Sequence, residues 1–264
     1  MRAPRRDFLR LLGVTPLALL LNGCLGGGDS DITVLADGSP VASTPTAAIA
    51  TATATAMPFT PTPPPSTFDP NALVGLTMPV EGACLPTSDR LMPNAPRAYR
   101  NGFHEGVDFY FGDSCAVIDR GTPVIAAAAG VVKRADHDYV ELTVEQVVEL
   151  DARTSAQGFS DPGTLDTYRG RQVWIDHGNG LVTRYCHLDS IDEGIAVGIQ
   201  VTAGQLVGGI GESGTPESVT SPNTELHLHF EVRIGESFLG DGLDPATVRA
   251  LYEQAFSPGP STGA

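Results

Sequence analysis

Two β-rich runs, Gln172-Val173-Trp174-Ile175-Asp176 and Leu181-Val182-Thr183-Arg184-Tyr185, flank His177-Gly178-Asn179-Gly180. Asn-Gly between such runs is a strong hairpin signal, because the central residues of the tight turn need positive φ. The same grammar recurs earlier, where Pro123-Val124-Ile125-Ala126 precedes Gly130-Val131-Val132-Lys133. Short runs divided by turn residues, from about Phe68 onward, predict an all-β-dominated domain of antiparallel sheets. One helical insert interrupts them over Thr143 to Ala156, with Thr143 as N-cap and Gln146 three residues on. A polar loop around Asp161-Pro162-Gly163 is expected after it. A short C-terminal helix is expected from Asp244-Pro245, with Asp as cap and Pro at the first helical position.

The ends have a different texture. Residues 1–23 carry Arg2, Arg5, Arg6 and Arg10 against Asp7, then an apolar run from Leu11 to Leu21 broken by Pro16. A bilayer-spanning helix needs about 20 apolar residues, so this run is a signal core instead. Arg5-Arg6-Asp7-Phe8-Leu9-Arg10 resembles a twin-arginine export signal. Leu21-Asn22-Gly23-Cys24 resembles a lipobox, which implies cleavage before Cys24 and lipid on its thiol; a plainly cleaved signal with an incidental Cys is the alternative. Residues 24–67 are expected to be a disordered Thr/Ala/Pro-rich linker, with runs such as Thr51-Ala52-Thr53-Ala54-Thr55-Ala56 that bury too little surface to offset ordering entropy. Such a linker reaches from ~35 Å as a coil to ~140 Å fully extended. That leaves one domain over 68–256 and a disordered tail over 257–264.

The chain of 264 residues has a formal charge of -15, and the first 23 residues work against that total. So acidic a surface argues against nucleic acid, which needs clustered Lys and Arg, and against polybasic membrane attachment. Solubility is the plainer meaning of the acidity. Any membrane contact is then through the lipid anchor alone. The sequence carries no signal of oligomeric state.

Four of the six histidines concentrate the chemistry. His227 and His229 lie two apart in Glu225-Leu226-His227-Leu228-His229-Phe230-Glu231-Val232. On a strand both imidazoles face one side, and Leu228 and Phe230 the other. Paired imidazoles suit a centre that needs neutral ring nitrogens, such as zinc, better than an ordinary core. A catalytic zinc needs three protein ligands and one open position. His104 and Asp108, in His104-Glu105-Gly106-Val107-Asp108, supply further candidates, and Gly106 lets the backbone between them fold tightly. His104-Glu105 lacks the second His of a His-Glu-x-x-His motif, so Glu105 is read as an ordinary surface carboxylate. His187, in Tyr185-Cys186-His187-Leu188, shares a strand face with Tyr185 by alternation and is placed to orient or deprotonate a metal-bound water. Spacing alone leaves open which member of the His227/His229 pair binds metal.

These segments, in this order, resemble the LytM/lysostaphin-type zinc endopeptidases that cut peptidoglycan. Ile175-Asp176-His177-Gly178-Asn179-Gly180 and Ala203-Gly204-Gln205-Leu206-Val207-Gly208 match connecting segments of that family, so the resemblance covers roughly Gly102 to Pro245. It implies a β-sheet domain with a narrow groove and one zinc ion on His104, Asp108 and His229. It also implies that His227 and His187 are non-ligand histidines, which activate water and stabilise the tetrahedral intermediate. The implied substrate is the peptide stems and bridges of peptidoglycan. The segment from Glu141 to Arg169 is longer than the compact family domain needs; it either walls the groove or decorates the surface.

Other signals carry less. Gly209-Ile210-Gly211-Glu212-Ser213-Gly214 spells a dinucleotide fingerprint, but Thr215-Pro216 follows with no helical pattern, so turn glycines are expected. His177 is expected to be structural or exposed in its turn, and His137 a solvated loop residue. Export favours a disulfide. Cys84 and Cys115, in turn-rich segments on either side of His104 and Asp108, are the expected pair, worth roughly 3–4 kcal/mol in the chain-entropy account. Cys186 is expected to be a small buried residue rather than a nucleophile beside His187. Competing with the peptidase are a non-catalytic wall-binding or activator domain, which filled ligand positions disfavour, and a zinc-stabilised structural domain, which would want four protein ligands.

Overall fold

The computed structural model describes residues 69–259. The signal, Cys24, the linker, Phe68 and residues 260–264 of the tail lie outside the described residues.

Twelve strands and four α-helices are described. The first strands are β1 (Pro96–Arg97), β2 (Gly102–Phe103), β3 (Val107–Tyr110), β4 (Pro123–Ile125) and β5 (Gly130–Ala135). Helices α1 (Val144–Gln157) and α2 (Pro162–Tyr168) follow. The next strands are β6 (Val173–Gly178), β7 (Leu181–Cys186), β8 (Leu188–Ile191), β9 (Gln200–Val201) and β10 (Leu206–Ile210). After them come α3 (Glu217–Thr220), β11 (His227–Ile234), β12 (Ser237–Phe238) and α4 (Pro245–Ala255). Every strand pair is antiparallel. A seven-stranded sheet runs β12-β11-β7-β6-β5-β9, with β3 also on β11; a three-stranded sheet runs β4-β10-β8. The mostly antiparallel β architecture is thus what the run-and-turn texture predicts.

The β6–β7 hairpin turns where Gly178, Asn179 and Gly180 all have positive φ, a conformation that Asn and Gly adopt at least cost. Helix α1 starts on a full capping box between Thr143 and Gln146 and stops at Gly158 in the left-handed conformation. Asp244 caps α4, with Pro245 leading it. The segment expected to be a polar loop is instead helix α2: Asp161 accepts from the amides of Gly163 and Thr164, and Pro162 opens the helix. Asp-Pro is the same start signal as at α4, here attached to a short run without apolar period.

The core lies on one face of the seven-stranded sheet. Val107, Phe109, Leu228, Phe230, Val232, Ile175 and Tyr185 bury there together with Val248, Leu251 and Tyr252 of α4. Phe230 touches Tyr185 at 5.3 Å and Phe256 at 6.1 Å between ring centroids. The described chain is closed on itself, since the amides of Gly75 and Leu76 donate to Ser257 O and Ala255 O. Cys84 and Cys115 are joined by a disulfide with a Cα–Cα distance of 5.4 Å.

Candidate metal centre

The register of β11 lays out the opposite face row by row. His229 pairs with Asp108 on one side and Cys186 on the other, and His227 pairs with Tyr110. The β3 alternation that buries Val107 and Phe109 therefore turns Asp108 toward His229. Gly106 fits against β11 because a Cβ there would overlap the Phe230 carbonyl and come 3.0 Å from His229 Cε1. Room, more than tight folding, is what that glycine supplies.

His104, Asp108 and His229 are buried and offer one ligand atom each to a common centre. His104 Nε2 lies 2.8 Å from Asp108 Oδ1 and 3.0 Å from His229 Nδ1, and His229 Nδ1 is 2.8 Å from Asp108 Oδ1. Partners behind the rings assign the tautomers. His104 Nδ1–H donates to Met92 O at 3.0 Å, which leaves the Nε2 lone pair on the centre. His229 Nε2–H donates to Glu231 Oε1 at 3.1 Å, which turns Nδ1 inward. Arg97 Nη2 donates to Asp108 Oδ2 at 2.9 Å and fixes the carboxylate. Three acceptor atoms on one point need a positive charge between them, a proton or a metal ion. Two imidazole nitrogens and a carboxylate oxygen are a donor set that suits zinc.

The ionisation states agree. Burial holds the His104 pKa down at about 4, against the pull of Asp108. Burial alone would raise Asp108, but the charges and hydrogen bonds of His104 and His229 outweigh it and keep the carboxyl well below its ordinary range. Burial also opposes charge on His229, yet its bonds to Asp108 and Glu231 prevail and raise its pKa. Of the two imidazoles, His229 is thus the one whose protonation the site favours.

His227 and His187 stand beside this cluster without joining it. His227 Nδ1–H donates to Glu225 O at 2.6 Å, and its Nε2 is 3.9 Å from Asp108 Oδ1. Tyr110 stacks on its ring at 4.3 Å. His187 Nδ1–H donates to Ser213 O at 2.8 Å, and its ring centroid is 4.6 Å from that of His227. Burial lowers both pKa values, that of His187 most strongly, with His227 and His229 adding to the effect there. The alternation expected for His187 does not hold. Strand β7 ends at Cys186, Tyr185 points into the core under Phe230, and His187 has φ 61°. That left-handed residue swings the imidazole out of the core face and over the centre.

Glu105 is not an ordinary surface carboxylate. Its Oε2 accepts from Arg169 Nη2 at 2.7 Å and Arg233 Nη1 at 2.6 Å. Arg169 Nε also donates to Glu231 Oε1 at 2.6 Å. Glu231 is fully buried; burial would raise its pKa, but Arg169, His229 and Arg233 hold it well below the usual carboxylate range. Arg97 and Arg169 are not visible from sequence, since their partners lie 11 and 62 residues away; Glu231 shares the His227/His229 alternation, the one signal that points it inward. The insert's end is stitched into the site, as His187 N donates to Arg169 O at 2.9 Å. His177 is structural: its Nδ1–H donates to Ala129 O at 2.8 Å and its Nε2 meets Thr183 Oγ1 at 2.9 Å. His137 is exposed but not merely solvated, since its Nε2 lies 2.6 Å from Ile195 O. Cys186 is buried, unpaired and raised in pKa by burial and Glu231, an inert thiol. The Gly209–Gly214 glycines lie at the end of β10 and in a turn; the helix that follows them in the chain is the four-residue α3 at Glu217–Thr220, shorter than a dinucleotide fold requires.

A mostly antiparallel sheet thus carries on one face a His/Asp/His cluster of the kind that can hold a metal ion. The family model of Peptidase family M23 matches residues 102–241, just over half of the chain, and the chain belongs to that family. Similar solved structures include a peptidase M23 from Pseudomonas aeruginosa, 24% identical, covering 71% of this chain and 53% of that one, with a TM-score of 0.38. The catalytic domain of the M23 protein EnpA from Enterococcus faecalis is 22% identical over 65% of this chain and 95% of that one, with a TM-score of 0.39. The catalytic domain of lysostaphin from Staphylococcus simulans is 23% identical over 58% and 85%, with a TM-score of 0.35. The chain spans about half the length of the first of these. No curated protein matches the chain. Family membership rests on the sequence match.

Proposed function

We propose that this peptidase is a zinc-dependent endopeptidase that hydrolyses the peptide stems or cross-links of peptidoglycan. The observation that carries the reading is the convergence of three buried acceptor atoms, from His104, Asp108 and His229, within 3.0 Å of one another. Three protein ligands leave a coordination position open, the pattern of catalytic rather than structural zinc. One bound zinc would act as Lewis acid and make water nucleophilic near neutral pH. His187 and His227 supply the proton chemistry. Each donates Nδ1–H to a backbone carbonyl, so each presents an unprotonated Nε2 that can take a proton from the attacking water and return it to the leaving amine. Their lowered pKa values keep that nitrogen free at neutral pH. Arg97 and Glu231 hold two of the ligands in orientation from behind.

The substrate class rests on the likeness of three motifs to LytM/lysostaphin-type enzymes. Export through residues 1–23 and a lipid on Cys24 would set the domain facing the wall at the end of the linker. The test is digestion of purified peptidoglycan by zinc-loaded protein, with His104→Ala as control and released peptides identified by mass. Release by the parent protein alone is expected. Failure to release peptides from any wall type overturns the enzyme reading, and wall binding without release would instead mark a non-catalytic wall-binding domain.

A further inference from the structure

A polar cavity of about 120 Å³ lies behind the segment that holds His187 and His227 and has no part in the chemistry above. Its wall is the Gly211–Ser213 segment. Gly211 O accepts from His227 N at 3.1 Å, and Ser213 O holds His187, and Glu212 and Ser213 line the cavity. Only that segment stands between the cavity and the two histidines it holds.

The lining is of mixed charge and its groups are unequally satisfied. Arg120 is fully engaged by Asp189 at 2.5 Å, Glu212 at 2.7 Å and Asn223 at 2.9 Å. Arg171 is not. It makes no ion pair among the described residues; its Nη1 donates to the Asp189 carbonyl and its guanidinium lies over the Tyr139 ring at 5.5 Å. An arginine placed beside an aromatic ring, with donors to spare and no carboxylate of its own, is preorganised for a carboxylate that arrives with a ligand. In the same lining, Asp189 and Glu141 each have one carboxylate oxygen engaged, Asp189 Oδ1 by Arg120, and Glu141 Oε1 by Tyr139, Leu142 and Gly214. Their second oxygens make no hydrogen bond among the described residues and can accept from an ammonium. A simple anion would meet those carboxylates, and a simple cation would meet Arg171.

We infer that this cavity is a substrate subsite for a zwitterionic amino-acid head, with Arg171 taking its carboxylate and Asp189 and Glu141 its ammonium. A peptide side chain carrying such a head belongs to a diamino dicarboxylic residue whose side-chain amine is not acylated, so the subsite would select peptides that carry such a free head beside the cleaved bond. The inference deepens the peptidase reading and rests on it for the word substrate, but binding can be measured without catalysis.

The probe is 2,6-diaminoheptanedioic acid blocked at one end as the acetyl amide, so that it presents one free amino-acid head and no bond between residues. NMR or calorimetric titration of the full chain compares it with its head-group carboxamide and with similarly blocked lysine. Binding of the free head at least tenfold tighter than either analogue is expected, with the difference lost in Arg171→Gln and largely kept in Arg171→Lys. Equal binding of all three, or a preference that survives Arg171→Gln, overturns the subsite. Peptide kinetics then separate the two readings. A subsite role predicts that Arg171→Gln raises KM tenfold or more for a zwitterion-bearing peptide and leaves its carboxamide analogue unchanged. Cleavage of both peptides without discrimination sinks the subsite alone. Selective binding without any cleavage sinks the peptidase reading alone.

Discussion

His227 and His229 occupy the same face of one strand, and the nitrogen each turns to the centre separates them. His229 gives its Nε2–H to Glu231 and aims Nδ1 at Asp108, 2.8 Å away. His227 gives its Nδ1–H to the Glu225 carbonyl, which leaves Nε2 3.9 Å from the same oxygen, outside the cluster. His229→Ala should therefore lose zinc, whereas His187→Ala should keep stoichiometric zinc and lose about 10²–10⁴-fold in rate, the usual loss of a positioned acid–base group. Metal content by atomic absorption beside hydrolysis rates checks this, and a metal-free His187→Ala would contradict the assignment. Gly106→Ala tests packing instead. Its Cβ would press on the Phe230 carbonyl and the His229 ring, so a loss of about 1–3 kcal/mol is expected from chemical denaturation, together with weaker zinc binding. If Gly106 served backbone folding alone, stability would fall while zinc affinity stayed. At this scale the sequence showed which residue types matter, through strand alternation at positions 227 and 229. It could not show Arg97 behind Asp108 or Arg169 behind Glu231, because those pairs are 11 and 62 residues apart and leave no periodic trace.

Among the elements, those with local start and stop chemistry were legible: the Asn179-Gly180 hairpin, the Thr143–Gln146 box and the Asp244-Pro245 start. Helix α2 is not legible although Asp161-Pro162 repeats the last of these signals, because seven residues carry too little apolar period. The bend at His187 was illegible for a related reason, since strand alternation assumes extended backbone and φ 61° breaks it. Helix α2 matters to the site. It delivers Arg169, whose carbonyl holds the His187 amide and whose guanidinium bridges Glu105 and Glu231. Arg169→Met keeps the stem and removes the bridge. Glu231 would then keep its bond from His229 and, of the arginines, only Arg184 at 3.3 Å and Arg233 at 3.4 Å. Breaking one partner of a buried ion pair costs about 3–5 kcal/mol, and the remaining arginines place this case at the low end. Loss of a group that orients a metal ligand weakens metal binding about 10–100-fold. Zinc titration against a chromophoric chelator measures the second effect, and unchanged affinity would show that the insert only decorates the surface.

Across the whole molecule, the sheet buries an apolar core on one face and a charged centre on the other, so stability and metal binding respond to pH together. His104 titrates near 4 when folded, against 6.5 ordinarily. Between those values the unfolded chain takes up a proton that the folded chain refuses, so stability falls as pH drops below 6.5. His187, His227 and His177 are shifted the same way by burial. His229 is shifted upward, so its contribution is fully present below 6.5 and lost above its raised pKa. Asp108 and Glu231 stay ionised throughout, and their contribution is lost only as pH falls through and below the ordinary carboxylate values of 3.8 and 4.5. Four lowered histidines against one raised leave a net loss on acidification. For zinc-free protein, His104 alone accounts for on the order of 2 kcal/mol between pH 7 and pH 5. Zinc changes the sum, because it binds only after the His229 proton leaves the centre and must therefore release protons on binding. Urea unfolding with and without chelator should then show two things: the zinc-free midpoint falls from pH 7 to pH 5, and the increment from zinc shrinks over the same interval. A zinc-free midpoint that is level or higher at pH 5 would mean that the histidines are not held neutral. A zinc increment independent of pH would mean that the metal sits where no proton had to leave.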